Sequence, residues 1–248
     1  MTDKYLQQYK SNINFDLQHA FDKLKNGNEL DFEYLIEASA VYSSNIEGNS
    51  MDLNSFMNSK ISGAMPKPKE HIEIVDLINA YKFAQINDLT EENFLKTHQI
   101  SSAHFLIVSK QGIYRDGPVG VFGSQGLIYM AIEAKKVAEA MKELFTKISE
   151  LLAKDLTIEE VFYYTSFIHL RLAHIHPFSD GNGRAARLLE KWFIAQKLGD
   201  RAWAIQSEKY YKENIKDYYA NINLGVNYYE VDYDKALPFL LLLLASLK

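Results

Sequence analysis

Residues His176 to Arg187 read HPFSDGNGRAAR. The 248-residue chain has only 12 glycines and 5 prolines, yet this stretch takes two of the first and one of the second. The residues before it, Thr157 to His174, are apolar nearly all round (Val161, Phe162, Phe167, Ile168, Leu170, Leu172), which predicts a central buried helix. Those after it, Arg184 to Leu198, place Ala185, Leu188, Leu189, Trp192 and Gln196 on one helical face, with Gly199 where a left-handed C-terminal residue would sit. The stretch is therefore a loop between two core helices, and it sets the fold class as helical.

The loop's chemistry follows from its residue types. Glycines let the backbone turn sharply and approach a ligand. The first N–H groups of the next helix have no internal partner, and its dipole favours an anion there. That makes a phosphate cradle from Gly181, Asn182 and Gly183. Arg184 and Arg187, three apart, flank the same helix end, where two cations suit a bound polyphosphate and not an empty site. Asp180 is a hard oxygen donor of the kind that holds magnesium together with substrate phosphates. His176 is the group in the stretch that exchanges a proton near neutral pH. These are the parts needed for transfer at a phosphorus centre. D-G-N-G alone is an ordinary turn. His174 and His176 have no further ligands clustered nearby, as a metal pair would need. Phe178 reads as a core anchor for the loop.

Working outward, Phe32 to Ile46 shows helical spacing of Leu35, Ala38, Ser39, Tyr42 and Ile46, and His71 to Ala84 repeats it. Met65 to Glu70 (MPKPKE) breaks the chain between them. Leu89 to Gln99 reads as a helix capped by Thr90, with Asn93 completing an imperfect capping box. Gly112 to Ala131 changes texture, with five glycines and one proline. Val119, Val121 and Phe122, then the turn Gly123-Ser124-Gln125-Gly126, then Leu127, Ile128 and Tyr129 predict a small β-hairpin. Further helices are expected at Glu133 to Leu152, Tyr210 to Leu224 and Tyr233 to Leu247. The expected organisation is an N-terminal helical region (1–65), a core (66–225) and a C-terminal helix packed on it (226–248).

Composition excludes several classes. There is no cysteine, hence no disulfide, thiolate metal site or cysteine nucleophile. A net charge of -5 lacks the basic footprint of a nucleic-acid binder. The apolar run Ala236 to Leu247 falls short of the ~20 residues of a membrane span, and the N-terminus lacks the pattern of a secretory signal. The expectation is a cytoplasmic protein with no membrane or nucleic-acid partner and an oligomeric state left open.

HPFSDGNGRAAR resembles the Fic (filamentation induced by cAMP) family signature, HPFx(D/E)GNGRxxR, at every specified position. GIYRDGPVGVFG (Gly112 to Gly123) is similar to the segment leading into that family's hairpin flap. The resemblance covers roughly Ile72 to Leu224. It implies an all-α, mainly helical Fic fold with a small β-hairpin flap beside the site. It also implies transfer of AMP from ATP, with Mg²⁺, to a Ser, Thr or Tyr hydroxyl of a protein, the chain itself being one candidate. In that reading His176 is the base and Asp180 holds Mg²⁺. Gly181, Asn182 and Gly183 form the anion hole, Arg184 contacts phosphate, and Arg187 reaches the γ-phosphate. The flap (Gly120, Val121, Phe122, Leu127, Ile128) docks the target backbone by strand addition. A phosphate-transferring branch of the family has Lys where this chain has Gly183, so Gly183 favours AMP transfer.

Upstream, VYSSNIEGNS (Val41 to Ser50) puts Ser43 and Glu47 on one helical face, and Gly48 can end the helix. An acid at a helix C-terminus is slightly unfavourable and invites a partner. The segment resembles the Fic inhibitory motif (S/T)xxxE(G/N). That implies an inhibitory helix at about 32–48 whose Glu47 pairs with Arg187 and blocks productive ATP binding. Some inhibited relatives also remove AMP, so the reverse reaction stays open. The alternatives are a Fic-fold transferase of another nucleotide or phosphoryl group, and a non-catalytic nucleotide-sensing module. A tyrosine of Tyr210 to Tyr219 could stack on adenine or simply pack in the core.

Overall fold

A computed structural model describes residues 3–24, 29–63, 67–123 and 126–248, with all their side chains except those of 29–31. Its elements run α1 (Leu6–Ser11), α2 (Leu17–Asp22), α3 (Glu29–Ile46), α4 (Leu53–Ser62), α5 (Pro68–Gln85), α6 (Glu91–Ser101), β1 (Gly120–Gly123), β2 (Gly126–Met130), α7 (Ala134–Ala153), α8 (Ile158–Ile175), α9 (Asn182–Leu198), α10 (Ser207–Glu213), α11 (Ile215–Ile222) and α12 (Leu237–Ala245). Among the described residues the fold is all-α apart from one antiparallel hairpin.

The apolar run of α8 forms its central helix, buried from Val161 to Leu170 on every side. A full capping box starts it: Thr157 accepts from the Glu160 N–H, and Glu160 accepts from the Thr157 N–H. α9 packs along α8, and α3, α5, α7 and α12 enclose the pair. One continuous core joins Tyr9 of α1, Val41 of α3 and Leu243 of α12 to the centre. The leucine run of α12 lies in that core, and among the described residues no helix is long and apolar enough to cross a membrane.

Several boundaries differ from the sequence-based expectation. α9 begins two residues earlier, at Asn182, because Gly181 takes the left-handed φ of 81° that turns the chain into it. Gly199 has φ 86° but an extended ψ of 177°, so it ends α9 without a left-handed cap. The expected helix from Tyr210 to Leu224 divides at Asn214, whose side-chain amide donates to the Tyr210 carbonyl. The last helix starts at Leu237, since Pro238 suits a first turn and not an interior. α1, α2 and α4 were not expected. They are short, and two rest on local caps: Asp16 accepts from His19 N–H and Asp52 from Ser55 N–H. Of the expected break, Met65 and Pro66 lie outside the described residues; Pro68 opens α5.

The hairpin pairs Gly120 with Met130 and Val121 with Tyr129, with an irregularity between Val121 and Phe122. Ser124 and Gln125 of its turn lie outside the described residues. An isolated hairpin is marginal in water. This one is tied down at its base: the Tyr129 hydroxyl donates to the His174 carbonyl at 2.7 Å, and Met130 N–H donates to Val226 O at 3.0 Å.

Candidate active site

The loop from α8 to α9 is held by contacts from distant elements. His176 ends α8 in the left-handed region (φ 53°, ψ 60°), the sole non-glycine with positive φ among the described residues. Such a conformation needs enforcement by its surroundings. Arg115 supplies it. Its buried guanidinium donates to the carbonyls of His176 (2.8 Å), Gly117 (2.9 Å) and Ile132, while its own N–H donates to Pro177 O at 2.9 Å. The Asn182 amide closes the loop internally, accepting from Phe178 N–H at 2.8 Å and donating to Phe178 O at 2.9 Å. Phe178 is fully buried, in keeping with an anchor.

His98 of α6 completes the frame. It stacks on Phe178 at 3.6 Å between centroids and 5° between planes. Its Nδ1 accepts from Gly112 N–H and its Nε2–H donates to Asp180 O, each at 3.0 Å. Those partners fix a neutral tautomer, and burial pulls its pKa down to about 4. Neither His98 nor Arg115 was singled out in the sequence. The single basic residue of the glycine-rich segment Gly112 to Ala131 was the signal for Arg115; His98 carried none.

His176 donates through Nδ1–H to the Ala173 carbonyl at 3.2 Å. In its neutral form this leaves the Nε2 lone pair free to take a proton. Burial lowers its pKa below the usual 6.5, against the pull of that carbonyl, so the basic form is the resting form at neutral pH. A cavity of about 570 Å³ opens beside it, ample for a nucleotide-sized ligand. Its walls include His176, Asn182, Gly183 and Arg187, the hairpin's Val121, Phe122 and Ile128, and Tyr218, Tyr219 and Ile222 of α11. Gly120, Leu127, Asp180, Gly181 and Arg184 are not among the wall residues. Phe122, Leu127 and Ile128 are largely solvent-exposed, at 72%, 49% and 42%.

Arg187 is completely buried. Nε donates to Ser43 Oγ at 2.9 Å, Nη1 to the Tyr218 hydroxyl at 3.2 Å, and Nη2 to Ser43 O at 3.0 Å and Glu47 Oε1 at 2.7 Å. Burial opposes the charge, but the Tyr218 and Glu47 oxygens outweigh it and hold the pKa above the ordinary arginine value. Burial likewise tends to raise the Glu47 pKa, yet Arg187, then Arg184 and His176, bring it below the ordinary carboxylate value. The Glu47 side chain keeps 32% of its surface open. A Cβ at position 183 would collide with Glu47 Oε1, so the carboxylate rests on Gly183, in the first turn of α9, where the helix dipole favours an anion.

The end of α3 is itself pinned. Gly48 turns left-handed (φ 95°). Lys212 donates to Asn45 O at 2.7 Å and the Tyr219 hydroxyl to Ile46 O at 3.1 Å, satisfying carbonyls that a helix C-terminus leaves open. Tyr219 thus belongs both to the cavity wall and to the Glu47 helix end. Of the tyrosines in the 210–219 run, Tyr211 and Tyr218 are buried and stacked at 4.9 Å.

Asp180 stands apart from this wall, with 61% of its side chain exposed. Its Oδ1 accepts from Gly181 N–H at 2.6 Å and lies 3.7 Å from Arg184 Nη2. The Arg184 guanidinium lies 3.7 Å over the Phe105 ring, and its buried Nε has no hydrogen-bond partner. Among the described residues no group of three or more His, Cys, Asp or Glu could hold a metal. One exposed carboxylate fits magnesium only as an ion shared with substrate phosphates.

Residues 88–194 match the Fic/DOC family. The chain is 30% identical over 161 residues to "Protein adenylyltransferase Fic" of Nematostella vectensis, covering 60% of this chain and 35% of that protein. It is 25% identical over 177 residues to "Protein adenylyltransferase fic-1" of Caenorhabditis elegans, covering 70% and 33%. It therefore spans about a third of the length of these curated relatives. A Fic family protein from Desulfovibrio desulfuricans G20 has a similar structure, with a TM-score of 0.72 and 24% identity over 98% of this chain and 70% of that one. A Fic domain containing signaling protein from Bacteroides thetaiotaomicron gives 0.68 and 20% over 98% and 93%. With the family match on its central loop and helices and this fold around them, the chain carries a Fic domain within the fold of these Fic proteins.

Proposed function

We propose that the chain is a protein adenylyltransferase whose own Glu47 keeps it switched off. One observation carries this reading: a single cavity holds a histidine with a free Nε2, the N-terminal end of α9 and a buried arginine, and a carboxylate of the same chain rests on the last two. His176 takes the proton of a target Ser, Thr or Tyr hydroxyl. Its oxygen then bonds to the α-phosphorus of ATP while the bond to pyrophosphate breaks. The opening N–H groups of α9 and the two arginines stabilise the charge that develops on phosphate. Mg²⁺ shared between Asp180 and the phosphates would screen that charge. The apolar, solvent-facing hairpin suits an extended segment of the target.

Incubation with ATP labelled at the α- or the γ-phosphate, with Mg²⁺, tests this. Glu47→Gly should incorporate the α-label about tenfold or more above the unmodified chain, since each ~1.4 kcal/mol of lost pairing is a factor of ten. His176→Ala should remove that signal. Incorporation of the γ-label would indicate phosphotransfer, and preference for another nucleotide would shift the donor. Tight ATP binding without labelling by Glu47→Gly would leave a nucleotide-sensing module. The similarity to proteins named as adenylyltransferases favours AMP.

A further inference from the structure

Behind Arg187 lies a polar chain that the proposed chemistry does not use. The side chains of His169 and Glu190 are completely buried, as are Tyr211 and Tyr218. An arginine can only donate, so the Tyr218 hydroxyl accepts from Arg187 Nη1 and directs its proton to His169 Nε2, at 3.0 Å. His169 then carries its proton on Nδ1 and donates to Glu190 Oε2 at 2.5 Å. The same oxygen accepts from the Tyr211 hydroxyl at 2.9 Å, while Oε1 has no partner. A polar cluster this deep, with an unsatisfied oxygen, is costlier than apolar packing.

Glu47 faces the cavity and is partly open; the chain through Tyr218 lies wholly in the core. When Glu47 leaves Arg187, the guanidinium keeps its bonds to Ser43 and Tyr218. We propose that the Tyr218–His169–Glu190 chain is the permanent holder of Arg187, positioning its guanidinium for the terminal phosphate of ATP once Glu47 withdraws. This rests on the functional reading above. His169 acts through Tyr218 as a positioning residue: by accepting the hydrogen bond of the tyrosine hydroxyl it keeps the oxygen lone pairs turned toward Arg187. Without that acceptor the hydroxyl is free to rotate and present its proton to a cation.

Calorimetric binding of ATP and of ADP, each with Mg²⁺, to the Glu47→Gly protein tests the proposal. That parent should bind ATP more tightly than ADP, and Arg187→Ala added to it should erase the preference. Adding His169→Leu should weaken ATP about tenfold, the scale of one hydrogen bond to a charged group, and leave ADP within about twofold. His169→Gln, whose amide can accept from Tyr218 and donate to Glu190, should restore the preference. Tyr218→Phe should reproduce the loss with less disturbance of packing, and carries the test if His169→Leu does not fold. Equal weakening of ATP and ADP, or no rescue by glutamine, would mean a structural role only and overturns the proposal. A parent with no ATP preference, or one that Arg187→Ala leaves intact, overturns the assignment of Arg187 itself and the proposal with it.

Discussion

Position 183 lies under the Glu47 carboxylate and, in the proposed function, also under phosphate. The sequence favours glycine there for close approach of phosphate; the structure adds that the Glu47 carboxylate already occupies the space a side chain would need. Gly183→Ala should therefore push Glu47 off α9 and loosen its pairing with Arg187. In thermal melts the substitution should cost more in the unmodified chain than in the Glu47→Gly background, with a coupling of about 0.5–3 kcal/mol as expected for residues in contact. An equal cost in both backgrounds would show that Glu47 does not press on Gly183. At this scale the site was half legible. The histidine, aspartate, glycines and arginines fall within twelve residues, so their chemistry reads directly. Arg115, His98 and Tyr218 reach the loop or Arg187 from other elements, and, beyond the lone basic residue of the glycine-rich segment, no local pattern announces a side chain whose partner is a distant carbonyl or hydroxyl.

Among the elements, the long helices were legible because α5, α7, α8 and α9 each span enough turns for periodicity to show. α1 and α2, of six residues each, do not, and the division between α10 and α11 depends on a single asparagine. The packing of α6 against the loop makes a prediction of its own. His98 at the loop, and His174 beneath the hairpin, are both held by burial at a pKa of about 4. Their folded pKa lies below the ordinary 6.5, so the unfolded chain binds protons the native one refuses. Stability is then full above about pH 6.5 and falls as pH drops toward 4, by roughly 1.4 kcal/mol per pH unit for each histidine. His98→Gln keeps a donor for Asp180 O and removes one titrating group. Melting temperatures followed from pH 7 to 4 should fall less steeply in that variant, and an unchanged slope would contradict the role given to His98.

For the molecule as a whole, the Glu47 segment and the loop lie 140 residues apart between Glu47 and Arg187, yet the fold places them in one site. α3 is buried on nearly every side from Ile36 to Val41, broader than the single face that spacing suggested, because it packs against both α5 and α10. A buried network locks it there: Lys191 of α9 bonds Ser39 of α3 and Glu208 of α10, and Glu208 also accepts from Tyr81 of α5. The helix that carries Glu47 is thus part of the core, and withdrawal of Glu47 need involve only the last turn, pinned by Lys212 and Tyr219. The most direct test of a switched-off AMP transferase is intact-mass spectrometry after incubation with ATP and Mg²⁺. The unmodified chain, Glu47→Gly, and Glu47→Gly with His176→Ala would be compared, each alone and with a cell lysate. The account predicts a mass increment of one AMP, on the chain or on a lysate protein, with Glu47→Gly alone. No increment with Glu47→Gly, or an equal one in all three, would contradict it.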